Sequence, residues 1–337
     1  MRCDLRPLVA WTGPQTRRVQ VPLGFTALLA SAVLVMSPAA AQARAAPSGV
    51  HGGALFGGTQ RLIAAQGALH RRLAVLRDYY TYGESFPDAA ARQVMAEGGT
   101  VLASLDGGPS YKDVAAGWYH GYFRSFLTAM NNAAVRYHLG AIYFSYQHEA
   151  DNISAHVPHQ GWAGGFRAAW AHLHYKAREW GLNWNAGGHI YWTLIMMHGA
   201  FFSTATGQHR VSDYWDGQQE DDIIGVDGYN HAGCVNGVTQ GIVTPGSLFG
   251  PALAYAASKG GKPVFVAEWG SQKGDQQVPF IRDMQAYVTG HPVIAGATYF
   301  DARAQGRNAC DNIVNGVPAS LRALSAMGAD PGMQGRT

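Results

Sequence analysis

The sequence is poor in charge and in cysteine. Only 14% of its 337 residues are charged, and there are three cysteines, Cys3, Cys234 and Cys310. No Cys-x-x-Cys pair occurs, which excludes a zinc site built from thiolates. There is no large excess of one sign either, with 25 basic against 22 acidic residues. No basic face for nucleic acid is indicated, so no nucleic-acid partner is expected. The first glycine-rich turn, Phe56-Gly57-Gly58-Thr59, lacks the Gly-x-Gly-x-x-Gly spacing of a dinucleotide fold, which leaves a doubly wound open sheet with little support. Short internal repeats, Ser/Pro linkers and a cell-wall sorting tail are likewise missing.

What is present is a large apolar and aromatic content: 47% hydrophobic residues, with 9 tryptophans, 16 tyrosines and 43 glycines. The N-terminus reads as a targeting segment. Arg17-Arg18 precede an apolar run from Leu23 to Met36, and Ala39-Ala40-Ala41-Gln42-Ala43 offers an Ala-x-Ala exit, the layout of a secretory signal peptide over residues 1–43. Thr16-Arg17-Arg18 resembles a twin-arginine signal. A membrane anchor is the alternative, but the run is shorter than the ~20 residues a span needs. With this segment removed, basic and acidic residues number 21 each. The expected product is an extracellular monomer with a flexible stretch at 44–50, a catalytic domain at 51–337 and no stable membrane association. A disulfide between Cys234 and Cys310 suits an exported protein.

Eight apolar runs punctuate the rest: 54–58, 73–77, 100–106, 139–146, 190–197, 223–229, 263–267 and 293–300. Helical patterns separate them. Phe166, Trp170, Leu173, Ala177 and Trp180 form one stripe at helical spacing, and Tyr119, Phe123, Phe126, Leu127 and Met130 form another. Strands that are apolar throughout belong to a parallel sheet covered on both faces. The fold class expected is therefore α/β, a (β/α)8 TIM barrel.

In such barrels the chemistry sits at the C-terminal strand ends. Those ends carry Asp78 and Tyr79, Asp106, His148-Glu149, Asp227 and Tyr229, Glu268-Trp269, and Tyr299 and Asp301. Acids and aromatic rings around one opening suit a neutral sugar polymer or oligosaccharide: rings pack on pyranose C–H faces and carboxyl groups move protons. Two glutamates, Glu149 after the fourth run and Glu268 after the seventh, can meet across the barrel mouth at the ~5 Å used by retaining glycosidases. Glu149 must then hold a proton and Glu268 must not.

This placement resembles the clan of retaining (β/α)8 glycosidases. A histidine before the first glutamate, His148-Glu149, resembles glycoside hydrolase family 26, the β-mannanases. The resemblance implies Glu149 as acid/base, Glu268 as nucleophile and Tyr229 as a hydrogen-bond partner of the nucleophile, with Asp227 nearby and His148 at the sugar. Trp162, Trp269 and Tyr299 are the expected sugar-binding rings. No metal or other cofactor is needed for this chemistry; His156, His159, His172, His174, His189 and His198 show no ligand spacing. Where the family continues Met-Asn-Gly after His-Glu, this chain has Ala150-Asp151-Asn152 and no tryptophan before Trp162. β-Glucan and xylan therefore stay open beside mannan, with loops 151–161 and 201–219 setting the choice. A sugar-binding barrel without turnover is the rival reading.

Overall fold

The structure is a computed structural model, and the residues described are 51–152, 162–205, 209–215, 223–232, 234, 241–303 and 310–336. Residues 1–43, expected from the sequence to be a targeting segment, the stretch 44–50 and most of the loop 151–161 lie outside them. The elements run in chain order as β1 (His51–Gly53), β2 (Leu55–Thr59), α1 (Gln60–Ala64), α2 (Gln66–Leu69), β3 (Val75–Thr81), α3 (Ala89–Ala96), β4 (Thr100–Asp106), α4 (Tyr111–Ala115) and α5 (His120–Arg136). There follow β5 (Ile142–Tyr146), α6 (Ala163–Glu179), β6 (Ile190–Met197), α7 (Val211–Tyr214), β7 (Ile223–Asn230), α8 (Pro245–Ser258), β8 (Val264–Ser271), α9 (Gln277–Gly290), β9 (Ile294–Tyr299), α10 (Pro318–Ala329) and β10 (Met333–Arg336).

Strands β2 to β9 pair in sequence order, all parallel, and β9 returns to pair with β2. This closed ring of eight, with helices outside it, is the expected (β/α)8 barrel. β1 and β10 form a short antiparallel appendage on β2 that the apolar pattern did not reveal. They are three and four residues long, too short for a periodicity to register.

Strand alternation divides the core. Inward residues Leu55, Val75, Leu102, Tyr143, Tyr191, Ile195 and Phe265 fill the lumen. Their outward neighbours, such as Leu76, Phe144, Trp192 and Val266, meet the helices. The helical stripes behave as expected: Phe166, Trp170, Leu173 and Ala177 of α6 are buried, as are Phe123, Phe126, Leu127 and Met130 of α5. Two expected members, Tyr119 and Trp180, are instead the cap residues of these helices.

The lumen is narrow where β2 meets β3. A Cβ on Gly57 would lie 2.2 Å from the Val75 carbonyl oxygen and 2.5 Å from Val75 Cγ1, so only glycine fits there. Backbone cannot yield as a side chain can. Gly57→Ala is therefore expected to lower stability by about 1–3 kcal/mol. Chemical denaturation read by far-UV circular dichroism measures this, and an unchanged midpoint would contradict the packing described.

Candidate active site

Three acidic side chains converge at the C-terminal mouth. One carboxyl oxygen from each of Glu149, Asp227 and Glu268 lies within 4.8 Å of the others. Each arrives there by a different backbone device.

Glu268 depends on a β-bulge. Val226 of β7 pairs with Val266, but the next residue, Asp227, pairs with Glu268, so Ala267 is an extra residue in β8. Strict alternation from Phe265, which faces the lumen, would send Glu268 outward. The bulge puts Ala267 and Glu268 on the inner side together. The Ala267 carbonyl accepts a hydrogen bond from the Thr298 hydroxyl on β9.

Glu149 depends on a tight turn. β5 stops at Tyr146, and both Gln147 (φ 57°) and Glu149 (φ 52°) adopt left-handed conformations that side chains disfavour. Hydrogen bonds hold the turn: Gln147 Nε2 donates to the Gly107 carbonyl (2.9 Å), Glu149 N to the Ile195 carbonyl (2.9 Å) and Asn152 N to the Glu149 carbonyl (2.8 Å). Asp151 pins the far side by accepting from Met197 N at 3.1 Å. Asn152 Nδ2 donates to Glu149 Oε2 at 3.1 Å.

Donors crowd around Glu268. Arg77 Nη2 lies 3.1 Å from Oε1, the Tyr79 hydroxyl donates to Oε1 at 2.7 Å, and the Tyr229 hydroxyl donates to Oε2. Arg77 is fully buried and is aimed by further bonds, the shortest to Ser104 Oγ at 2.7 Å. Its guanidinium also stacks over the Tyr79 ring, 4.3 Å from the centroid. Burial works against the Arg77 charge, but Tyr79, Glu268, Asp227 and Asp106 more than offset it and hold the proton above the usual arginine range. Burial first, then the Glu268 charge, raises both phenols, so Tyr79 and Tyr229 remain donors.

The other two acids face the opposite situation. Burial and then the Glu268 charge raise Glu149. The same causes raise Asp227 far above the usual carboxyl range, and neither Asp227 oxygen has a hydrogen-bond partner among the described residues. The cluster thus holds one cation, Arg77, beside two carboxyl groups whose proton affinity is raised. His148 completes the rim. Its Nδ1 is 2.7 Å from Asp106 Oδ2, an ion-pair contact too bent for a linear hydrogen bond, and its backbone N–H donates to Asp106 Oδ1 at 3.2 Å. Burial lowers the imidazole's affinity for a proton, and Asp106 overrides that and raises it.

No family model matches the chain, and no curated protein matches it in sequence. Solved structures do match. A family 26 β-mannanase from Bacteroides ovatus superposes with a TM-score of 0.57 at 13% identity, covering 84% of this chain and 90% of that one. The family 26 domain of an endo-β-mannanase/endo-β-glucanase from Prevotella bryantii gives 0.52 at 11% identity, with 84% and 90% covered. A fungal β-1,4-galactanase gives 0.51 at 14% identity, with 80% and 93% covered. The chain shares the barrel of these glycosidases. At such identities the likeness is one of fold, and the chemistry must be argued from the side chains above.

Of the residues singled out in the sequence, the structure brings Glu149, Glu268, Asp227, Tyr229 and His148 together. Two others are corrected. Trp269 and Tyr299 are fully buried and cannot touch a sugar. The bulge that turns Glu268 inward turns Trp269 outward onto Phe280 of α9 and onto Tyr299, whose ring is 4.8 Å away and edge-on. The Tyr299 hydroxyl donates to the Asn312 carbonyl at 2.7 Å and so holds the loop after β9. Trp162 caps α6 and is half exposed. Asp301 is a loop anchor, accepting from Val314 N at 2.7 Å, and Asp78 faces outward to Gln60 at 2.9 Å. Cys234 and Cys310 are bonded, joining the connection after β7 to the one after β9.

Arg77 and Asn152 are the contributors that motif reading missed, while Asp106, expected at a strand end, is the partner of His148. Arg77 closes an apolar run and looks like its boundary. Its signal is parity: it shares an inward face with Tyr79, two residues on.

Asp151 offers a test of the turn. Burial, and next the Glu149 charge, push its carboxyl up to about 7, from ~4 in an unfolded chain. Below pH ~4 both states hold the proton; between there and 7 only the folded state does, so stability falls as pH rises and the loss is complete above 7. Asp151→Asn keeps an acceptor for Met197 N and cannot ionise. It is expected to melt at the wild-type temperature near pH 4 and above it at pH 8. Equal melting temperatures at both values would contradict the buried placement.

Proposed function

We propose that the protein is a retaining glycoside hydrolase acting on a β-linked polysaccharide, with Glu149 as acid/base and Glu268 as nucleophile. The observation that carries this reading is the pair of carboxyl groups within 4.8 Å at the barrel mouth, one raised and partly buried, the other gripped by Arg77, Tyr79 and Tyr229. That spacing leaves no room for the water that inverting enzymes place between the two groups.

The steps follow from the surroundings. A sugar bound over the mouth presents its anomeric carbon to Glu268, which Arg77 and the two phenols hold in line. Glu149 gives its proton to the glycosidic oxygen as that bond breaks, and a bond from the anomeric carbon to Glu268 replaces it. Part of what raises Glu149 is the Glu268 charge, and that charge disappears in the ester. Glu149 therefore becomes a weaker acid-holder at the moment it has lost its proton, and it can accept one from water. The water attacks the anomeric carbon, Glu268 leaves as carboxylate, and the configuration is retained. Asp227, kept neutral first by burial and then by the Glu268 charge, lies beneath the mouth without adding repulsion beside Glu268.

The finer reading is an extracellular endo-β-1,4-mannanase. It is supported by His148 before Glu149 and by solved structures that share the fold, among them the Bacteroides ovatus β-mannanase and the Prevotella bryantii endo-β-mannanase/endo-β-glucanase. Export is supported by the layout of residues 1–43 and agrees with the Cys234–Cys310 bond. Incubation with purified mannan, glucomannan, β-glucan, xylan and galactan, with product sizing, tests the substrate. Short oligosaccharides from mannan are expected; release from another polymer alone would reassign it. Glu268→Ala is expected to lower turnover by about 10³-fold or more with an unchanged melting profile. Near-normal turnover in that variant would remove Glu268 from the mechanism.

A further inference from the structure

The opposite end of the barrel holds a feature that sugar hydrolysis does not use. A cleft of about 500 Å³ lies beneath the N-terminal ends of β3 and β4, walled by the α2–β3 connection, the turn before β4, α10 and β10. Arg71, Arg72 and Arg336 line it together with His70, and Glu97 is the single acid among its lining residues. None of the three arginines forms an ion pair with a described carboxylate. Glu97 makes no direct ion pair with them; its two oxygens accept from Gln66 and Gln93, each at 3.2 Å.

Arg71 is held in place rather than free to swing away. It is partly buried, its guanidinium carbon is 5.0 Å from the Phe56 ring centroid, and Gly328 makes room for its stem. A Cβ at Gly328 would come within 2.5 Å of Arg71 Cδ. Burial, and then repulsion from Arg336, lower the Arg71 proton affinity. Arg71 is half-buried and Arg72 and Arg336 are exposed, so three like charges line one cleft and favour an anion between them. Guanidinium forks match the oxygens of a tetrahedral oxyanion.

We propose that this cleft is a binding site for a phosphate group, free or as a phosphomonoester, held by the guanidinium groups of Arg71, Arg72 and Arg336. Bound phosphate would join the start of β3 to β10, two segments at opposite ends of the folded domain's sequence, and so tie the barrel seam from below. The reading is independent of the chemistry at the mouth.

The test uses the full chain. Melting temperature is followed in sodium phosphate and in sodium chloride at matched ionic strength, and inorganic phosphate and glucose 6-phosphate are each titrated by calorimetry. A saturable rise in melting temperature with phosphate alone is expected. It should vanish in the double variant Arg71→Gln, Arg336→Gln, with affinity weakened by roughly tenfold or more. A general salting effect would persist in that variant, so an equal response from both proteins overturns the proposal. So does identical melting of the wild type in the two salts, or the absence of saturable heat with both ligands, whatever the variant's folding. Tighter binding of glucose 6-phosphate than of phosphate assigns the site to a sugar phosphate, and the reverse assigns it to the free ion.

Discussion

The pairing of Arg77 with Glu268 inside the barrel mouth is the contact on which the site rests. Both groups are almost wholly buried, where leaving one charge alone costs several kcal/mol. Each therefore requires the other, and Ser104, Tyr79 and Tyr229 supply the remaining bonds that make the burial tolerable. The bulge at Ala267 is the backbone's answer to this requirement: without the extra residue, strict alternation would turn the carboxylate outward and Arg77 would lose its ion-pair partner. A local irregularity in one strand thus decides where the charge of the whole site lies.

That pair then governs its neighbours. The Glu268 charge is the second cause, after burial, of the raised proton affinity of Glu149 and of Asp227. One arginine faces three carboxyl groups, two of them with raised proton affinity, and none of this offers the surplus of cations that a phosphate or a uronic acid would need. The strained turn at Gln147 and Glu149 is compatible with the same economy. Glu149, the acid/base of the proposed mechanism, stands on loop backbone anchored to β4, β6 and their connections, while Glu268, its proposed nucleophile, stands on a strand.

Much of this was legible in the residues, because parallel strands buried on both faces must be apolar throughout and so stand out as runs. The eight runs correspond to β2 through β9 with boundaries shifted by a few residues, most at β3, where Arg77 and Asp78 interrupt the apolar pattern inside the strand. The glutamate pair was legible for a similar reason, since acids directly after apolar runs are few. The reading lost its footing where geometry departs from period two. Trp269 follows a glutamate that faces the mouth, and only the bulge sends it to the core. Tyr299 ends a strand like Tyr229 does, but its hydroxyl is spent on Asn312. Arg77 was hidden because a single cation at the edge of an apolar run looks like a terminus, and its partner lies 191 residues away.

The central claim is that Glu268 bonds to the sugar while Glu149 serves as proton carrier. A 2-deoxy-2-fluoro-β-mannoside with an activated leaving group slows the second step more than the first and lets the intermediate accumulate. After brief incubation and proteolysis, mass spectrometry should find one added fluorosugar on the peptide containing Glu268, with loss of activity in step with labelling. A label on a peptide carrying Glu149 or Asp227 instead would contradict the account.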